Sequence, residues 1–279
     1  MKFARYWREV EVPVDERLFG MPRVTVWGAS NNSTGEARQN AQSRADRFRE
    51  LLAGGFDRLR EYEYWNGFIR EEVLDEVRAG DGRVLAVLSR NSYGATVLNS
   101  EAVLFGDIDV PASGLLARLL EMFGKQKKDK DYYLQKIRLY QENNPDYTFR
   151  VYETNAGLRF MITSHVFAAD SEQVRALFAD LGVDPLYMHL CKHQTCFRAR
   201  LTPKPWRIGV DRPESRFPRQ SRSDQNAFEA WLRAYQRAAA RVSVVRLLAT
   251  FGSGNTHPDV DRVLTAHDRH ASTGHPGLA

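Results

Sequence analysis

The sequence predicts an α+β fold in which a mostly antiparallel sheet is flanked and interrupted by helices. Three short β-prone runs, RVLAVLSR, GATVLN and AVLFGDIDV, follow one another over residues 83–110 and are separated by turn residues. The runs TFRVYET and LRFMITSH flank Asn155-Ala156-Gly157, which is a hairpin signature. Other stretches have apolar residues at helical spacing and residues typical of helix ends.

The N-terminal part is predicted to begin with a strand, RVTVWGAS, at residues 23–30. A helix follows, because Ser33 and Glu36 form a capping box and Gly54-Gly55 is a typical helix end. The run REEVLDEVRAG predicts a second helix at about 70–79, and the three β-prone runs after it predict an antiparallel meander.

The same patterns predict the elements of the C-terminal half. We expect helices within 113–142, the hairpin around Gly157, helices near 171–181 and 185–193, a strand in FRARLT (197–202), a Pro- and Arg-rich loop at 205–222, a helix at 224–240, a strand in VSVVRLLATF (242–251) and a frayed end, ASTGHPGLA (271–279).

Composition indicates a globular protein, with 43% hydrophobic and 27% charged residues in a chain of 279. We expect a single domain over 1–279. It would consist of an N-terminal α/β part at 1–82, a core at 83–205 and a C-terminal helical and strand part at 206–279.

No apolar run has the roughly 18 residues of a membrane span, so no membrane partner is expected. Two cysteines indicate a reducing, cytoplasmic location. The net charge of +5 permits a nucleotide or nucleic-acid partner without requiring one.

Asp107 and Asp109 end an apolar run and, on a strand, would lie on the same face. Paired carboxylates suit Mg²⁺ or Mn²⁺, which phosphoryl transfer uses to neutralise phosphate charge. Alternatively, the strand ends near Gly106 and both side chains lie in a solvated turn before Pro111.

Arg159 lies among Leu, Phe, Met and Ile on the second strand of the predicted hairpin. An arginine in such surroundings needs a partner, because burying an unpaired charge is costly. The partner is either a phosphate or carboxylate of a substrate, or Glu153 across the hairpin.

Arg198 and Arg200 alternate on a predicted strand and are followed by Lys204, so the three cations suit a polyanion or form a solvated edge. Asp184 precedes Pro185, a pairing typical of a helix start.

His189, Cys191, His193 and Cys196 are zinc-type ligands, but a segment this short does not wrap a tetrahedral ion, so we do not expect zinc. The Lys-rich run at 124–133 and the arginines near Trp206 could bind along the backbone of a single-stranded nucleic acid, or they could simply be solvated side chains.

Taken in order over residues 83–205, these motifs resemble the catalytic core of the archaeo-eukaryotic primase superfamily, the primase–polymerase proteins. LFGDIDV is similar to that family's strand ending in Asp-x-Asp, and NAGLRF resembles its Gly-x-His element with Arg159 in place of the histidine. VDPLY and FRARLTPK are similar to the family's third acidic residue and basic strand.

This resemblance implies an RRM-like antiparallel sheet and metal-dependent nucleotidyl or phosphoryl transfer on nucleotides or nucleic acid. It implies that Asp107, Asp109 and Asp184 are catalytic, with Mg²⁺ or Mn²⁺ on the first two. Phosphates would be bound by Arg159, Arg198, Arg200 and Lys204. The sequence leaves two alternatives open: a non-catalytic nucleic-acid-binding module, and an interaction protein with a degenerate active site.

Overall fold

The computed structural model describes residues 1–53, 68–110, 128–219 and 221–279. In this part of the chain, the strands form one two-stranded and two four-stranded sheets whose pairings are all antiparallel. The predicted α+β class with antiparallel sheets is therefore confirmed.

The bounds of the elements are as follows. The strands are β1 (Tyr6–Pro13), β2 (Arg23–Ser30), β3 (Glu72–Arg78), β4 (Val84–Arg90), β5 (Thr96–Ser100), β6 (Phe105–Asp109), β7 (Phe149–Thr154), β8 (Gly157–Ile162), β9 (Phe197–Arg200) and β10 (Val245–Phe251). The helices are α1 (Glu16–Phe19), α2 (Thr34–Ala53), α3 (Lys130–Asn143), α4 (Glu172–Leu181), α5 (Pro185–Gln194), α6 (Arg222–Ala239) and α7 (Pro258–Ala271).

Contacts divide the chain into two compact units, Met1–Arg70 and Glu71–Ala279. The first predicted boundary, at 82, lies in the turn between β3 and β4, which pair with each other. The prediction of a single domain is not decided by this division and stays a prediction.

The first unit is a β1–β2 hairpin with α2 packed against it. The predicted strand at 23–30 and the helix after Ser33 are confirmed, and the Ser33 Oγ accepts a hydrogen bond from the Glu36 N–H at 3.1 Å. The sequence did not predict β1, because charged residues interrupt it and only two of its residues, Trp7 and Val12, are fully buried.

In the second unit, one sheet has the order β3-β4-β5-β9 and the other has the order β10-β7-β8-β6. The predicted hairpin is confirmed as β7 and β8. The predicted three-stranded meander is wrong for its last strand, because β6 pairs with β8 and the neighbour of β5 is β9. Gly106 lies opposite Phe160 in this pairing, and a Cβ at Gly106 would come within 2.3 Å of the Phe160 ring.

The predicted helix at 70–79 is also wrong, since residues 72–78 form β3. An Asp81-Gly82 turn joins β3 to β4: Gly82 has φ +88°, and the Arg83 N–H donates to the Asp81 side chain at 3.0 Å. Pairing with β4 outweighs the helical spacing of Val73, Leu74 and Val77 in this short segment. As an edge strand, β3 leaves Val73 and Leu74 exposed.

Helices of the second unit cover a core that both four-stranded sheets share. The predicted helices near 171–181, 185–193 and 224–240 are confirmed as α4, α5 and α6. Of the helices expected within 113–142, the part at 111–127 lies outside the described residues, and α3 occupies the rest.

The C-terminal end is not frayed as predicted. The Ser243 N–H donates to the Gly277 carbonyl at 2.8 Å, and the Ala279 N–H donates to the Ser243 carbonyl at 3.1 Å. These bonds hold the last residues beside the start of β10. Among the helices of the described residues, none is long and apolar enough to cross a bilayer.

Candidate functional site

Asp107 and Arg159 form an ion pair across adjacent strands. They lie directly opposite each other in the β6–β8 pairing. The Arg159 Nε and Nη2 donate to the two carboxylate oxygens of Asp107 at 2.7 and 3.0 Å. The Arg159 side chain is only 2% exposed, whereas that of Asp107 is 33% exposed. The Arg159 guanidinium thereby neutralises the Asp107 carboxylate near the end of β6.

Glu153 is not the partner of Arg159, contrary to the second sequence alternative. In the β7–β8 pairing Glu153 lies opposite Leu158, and the residue opposite Arg159 is Tyr152. Glu153 instead accepts hydrogen bonds from Lys130 and Arg246, and these bonds lower its pKa.

Beyond Asp107, the Arg159 guanidinium extends into a buried polar network. Its Nη1 donates to the Arg200 carbonyl at 2.9 Å and lies 3.4 Å from the His267 Nε2. Burial lowers the pKa of His267, so the neutral ring donates its Nδ1–H to Asp268 at 2.9 Å and turns its Nε2 lone pair toward Arg159.

Asp268 ends this network on α7. It accepts hydrogen bonds at 2.8 Å from both the Tyr152 hydroxyl and Arg150. Burial alone would raise the pKa of Asp268, but the bonds from His267 and Tyr152 bring it below its ordinary value. With these contacts, every nitrogen of the Arg159 guanidinium has a hydrogen-bond acceptor within the protein.

Asp107 and Asp184 lie close enough to Asp109 for their charges to interact with it. Burial, and then the carboxylates of Asp107 and Asp184, raise the pKa of Asp109. The Asp184 N–H donates to the Asp107 carbonyl at 3.2 Å, while the Asp184 side chain accepts from the Leu186 N–H at 3.1 Å as the N-cap of α5. The structure thus brings the three predicted carboxylates to one region and gives Asp184 the helix-capping role that its sequence indicates.

Two of these carboxylates already take part in contacts within the protein. Arg159 engages both oxygens of Asp107, and Asp184 caps a helix. No group of three or more His, Cys, Asp or Glu side chains among the described residues could hold a metal ion. Mg²⁺ and Mn²⁺ need several oxygen ligands, and the described residues do not supply a group of three. A metal ion on Asp107 and Asp109 stays a prediction.

The candidate zinc ligands lie on or just after α5. His189 and His193 are exposed one helical turn apart, with ring centroids 4.1 Å from each other. Cys191 and Cys196 are free and buried, and burial raises their pKa values to about 12 and about 11. The two thiols are therefore protonated at neutral pH and pack as small apolar side chains.

Arg198 and Arg200 alternate with buried residues on β9, as the predicted strand requires. Arg198 is largely buried and donates to Glu71 at 2.6 Å and to Gln194 at 2.9 Å, so its charge is already paired. Arg200 donates to the Thr202 carbonyl at 3.2 Å. Burial lowers the pKa of Arg200, and the positive charge of Arg159 lowers it further.

Lys204, Trp206, Arg207 and Arg212 form what we call the cation–tryptophan surface. Trp206 is 44% exposed and contacts Tyr93 edge-on, with ring centroids 5.3 Å apart. The Lys204 Nζ lies 5.7 Å and the Arg212 guanidinium carbon 4.5 Å from the centre of the Trp206 ring. Within the described parts of the chain, none of the three cations forms an ion pair.

The charges of this surface interact with one another and with Asp109. Burial, and then Arg200 and Arg207, lower the pKa of Lys204, while Asp109 and Asp107 act in the opposite sense. Because neighbouring cations disfavour the charged form of Lys204, an added anion would stabilise it.

Sequence reasoning placed Arg207, Arg212 and Trp206 in a basic loop but did not single them out. It missed His267, although the helical spacing of Val260, Val263, Leu264 and His267 puts that histidine on the buried face of α7. A histidine on an otherwise apolar helix face was the available signal for a buried polar network.

Comparison with known proteins finds no matching family model, no matching curated protein and no matching solved structure. The resemblance to primase–polymerases therefore stays a prediction, and we infer the function from the site itself.

Proposed function

We propose that the cation–tryptophan surface binds single-stranded nucleic acid without catalysing a reaction on it. Trp206 would stack against a base, while Lys204, Arg207 and Arg212 would contact the phosphates. Aromatic side chains beside unpaired cations are the usual means of binding single strands without sequence preference.

The observation that carries this proposal is the exposed Trp206 ring with two cations beside it, neither of which is paired with a carboxylate of the described residues. The Trp206 ring leaves apolar area in contact with water, and a stacked base would cover that area. The net charge of +5 adds a weak long-range attraction for a polyanion.

Replacement of Asp109 distinguishes a surface that only binds nucleic acid from a site that catalyses a reaction on it. Its charge interacts with Lys204 and Arg207, two of the three cations of the surface, and would repel a bound phosphate. If the surface only binds, replacing Asp109 by Asn removes a repulsion and strengthens binding. If Asp109 instead holds a metal ion for catalysis, the same replacement weakens the binding of metal and of any nucleotide that the metal holds.

Fluorescence anisotropy with a labelled oligonucleotide of about 12 nucleotides, as DNA and as RNA, tests the proposal. With three phosphate contacts, log K should fall with log salt at a slope of about −2 between about 50 and 200 mM. Trp206→Ala should weaken binding roughly 5- to 150-fold, which corresponds to one stacked base.

Arg237→Gln is the matched control, because Arg237 is an exposed cation on α6 and lies outside the proposed surface. It should leave the affinity within about twofold, whereas Arg212→Gln should reduce both the affinity and the salt slope. Absence of binding at about 50 mM salt, or an unchanged affinity for Trp206→Ala, would rule the proposal out.

Metal-dependent nucleotidyl or phosphoryl transfer of the primase–polymerase type is the second candidate. The observation that favours it is the raised pKa of Asp109 beside Asp107 and Asp184, since a divalent cation would relieve such repulsion. Calorimetric titration with Mn²⁺ tests it on the wild type and on Asp109→Ala. This variant is preferable to one at Asp107, which also holds Arg159. Identical titrations of the two proteins would exclude this candidate.

A further inference from the structure

A separate cavity of about 410 Å³ lies within the second unit, between the β3-β4-β5-β9 sheet and the end of α6. Its size falls within the range of small-molecule sites. Most of the residues around it are apolar or small: Leu74, Leu88, Leu201, Ala239, Val242 and Val244. The proposed nucleic-acid surface does not account for this cavity.

Arg90 is the buried charge in the wall of the cavity. Its side chain is 11% exposed, and its buried Nε has no hydrogen-bond partner in the part of the chain that the structure describes. Its Nη1 donates to the Gly94 carbonyl at 3.1 Å. The nearest carboxylate oxygen, on Glu72, lies 3.6 Å from the Nε, which exceeds the length of a hydrogen bond.

Glu72 is moreover shared between two arginines. Arg219, which is 5% exposed, donates to the same Glu72 oxygen at 3.3 and 3.4 Å. The Phe228 ring packs against both guanidinium groups, with the carbon of Arg219 at 3.3 Å and that of Arg90 at 5.8 Å from its centroid. Among the described residues, these two buried guanidinium groups share one paired carboxylate, that of Glu72, which leaves an excess positive charge.

We infer that this cavity binds a small monocarboxylate with an apolar body, whose carboxylate pairs with Arg90. A carboxylate would balance the excess positive charge of the two guanidinium groups, and the apolar body would be covered by the leucine and valine side chains. Planar guanidinium groups match carboxylates in geometry, which favours this anion over a halide.

Other charged or titratable groups in the wall narrow the class of ligand. Asp75 lies opposite Leu88 in the β3–β4 pairing, two residues along β4 from Arg90 and thus about 7 Å away. Asp75 would repel a second carboxylate, so a dicarboxylate is disfavoured. The Tyr235 hydroxyl donates to the Pro203 carbonyl at 2.6 Å and lies 2.8 Å from the Thr202 Oγ1. Burial lowers the pKa of His270, which keeps that ring neutral at pH 7.

Octanoate is a suitable probe. At about 30 Å³ per water, the cavity has room for roughly a dozen waters, comparable to the ten or so non-hydrogen atoms of octanoate. Calorimetry at pH 7 should show octanoate binding to the full chain, with 1-octanol, octylammonium and suberate (the matching dicarboxylate) each at least about tenfold weaker. Equal affinity for octanoate and 1-octanol would overturn the inference, because the arginine would then have no role.

Arg90→Gln should weaken octanoate about 10- to 150-fold, as expected for the loss of a charged hydrogen bond. Arg237→Gln removes the same charge from an exposed position of α6 and should have no effect. Undiminished binding to Arg90→Gln, or no octanoate binding to the wild type, would contradict the inference. Ala239→Trp, which fills the cavity, should abolish binding with Arg90 intact, so the test stands even if Arg90→Gln does not fold.

Discussion

The Asp107–Arg159 pair predicts an asymmetry between two single substitutions. Asp107→Asn leaves the Arg159 guanidinium, 2% exposed, without a counter-charge. Removing one partner of a buried pair costs about 3–5 kcal/mol. Arg159→Met leaves Asp107, whose side chain is 33% exposed and can be hydrated, and an unsatisfied Arg200 carbonyl. That variant should cost only about 1–3 kcal/mol.

Urea unfolding followed by circular dichroism at pH 7 measures both free energies of unfolding, with the double variant closing a cycle. The double variant should cost about as much as Arg159→Met alone, so the coupling between the two sites equals the cost of Asp107→Asn, roughly 3–5 kcal/mol. Asp107→Asn should lower the Tm by roughly 6–20 °C. A larger loss for Arg159→Met than for Asp107→Asn, or additive losses in the double variant, would refute the assignment of this pair as a buried structural ion pair.

Three further outcomes follow from the structure. Gly157→Ala should destabilise the protein by about 1–3 kcal/mol, because the added Cβ would lie 1.9 Å from the Ile108 carbonyl oxygen. The control is Gly35→Ala in the first turn of α2, which should be neutral or stabilising in the same urea assay. Asp184→Ala should cost about 1 kcal/mol for the lost helix cap and leave Mn²⁺ and oligonucleotide titrations unchanged; a lost Mn²⁺ signal would assign Asp184 to a metal site instead. The unfolding free energy should fall as the pH drops below about 6.5, since burial lowers the pKa of His267 and the unfolded chain then takes up the proton first. His267→Gln should flatten that fall between pH 7 and 5, and an equally steep fall in the variant would contradict this assignment.

Local signals in the sequence were sufficient where the structure is local. The Ser33 cap, the Asn155-Ala156-Gly157 turn and the Asp184 cap of α5 each specify an element through neighbouring residues. The Asp81-Gly82 turn carried the same kind of signal for β3, and the helical spacing of the preceding residues obscured it.

Non-local pairing is what the sequence did not reveal. The partner of β6 is β8, about 50 residues away in the chain, so Asp107 meets Arg159 through a register that no local pattern encodes. In the same way, His267 reaches Arg159 only because α7 packs over the sheet that contains β8. The residue types at the site could be predicted, but the way in which they neutralise one another could not.

The most direct test of the central claim, binding without catalysis, is the affinity of Asp109→Asn for a single-stranded oligonucleotide with and without Mn²⁺. We predict that the variant binds roughly two- to fivefold more tightly than the wild type, because one repulsive carboxylate is gone, and that replacing Mn²⁺ by EDTA changes neither affinity. Weaker binding by Asp109→Asn, together with a wild-type affinity that requires Mn²⁺, would contradict the claim and favour a metal-dependent enzyme.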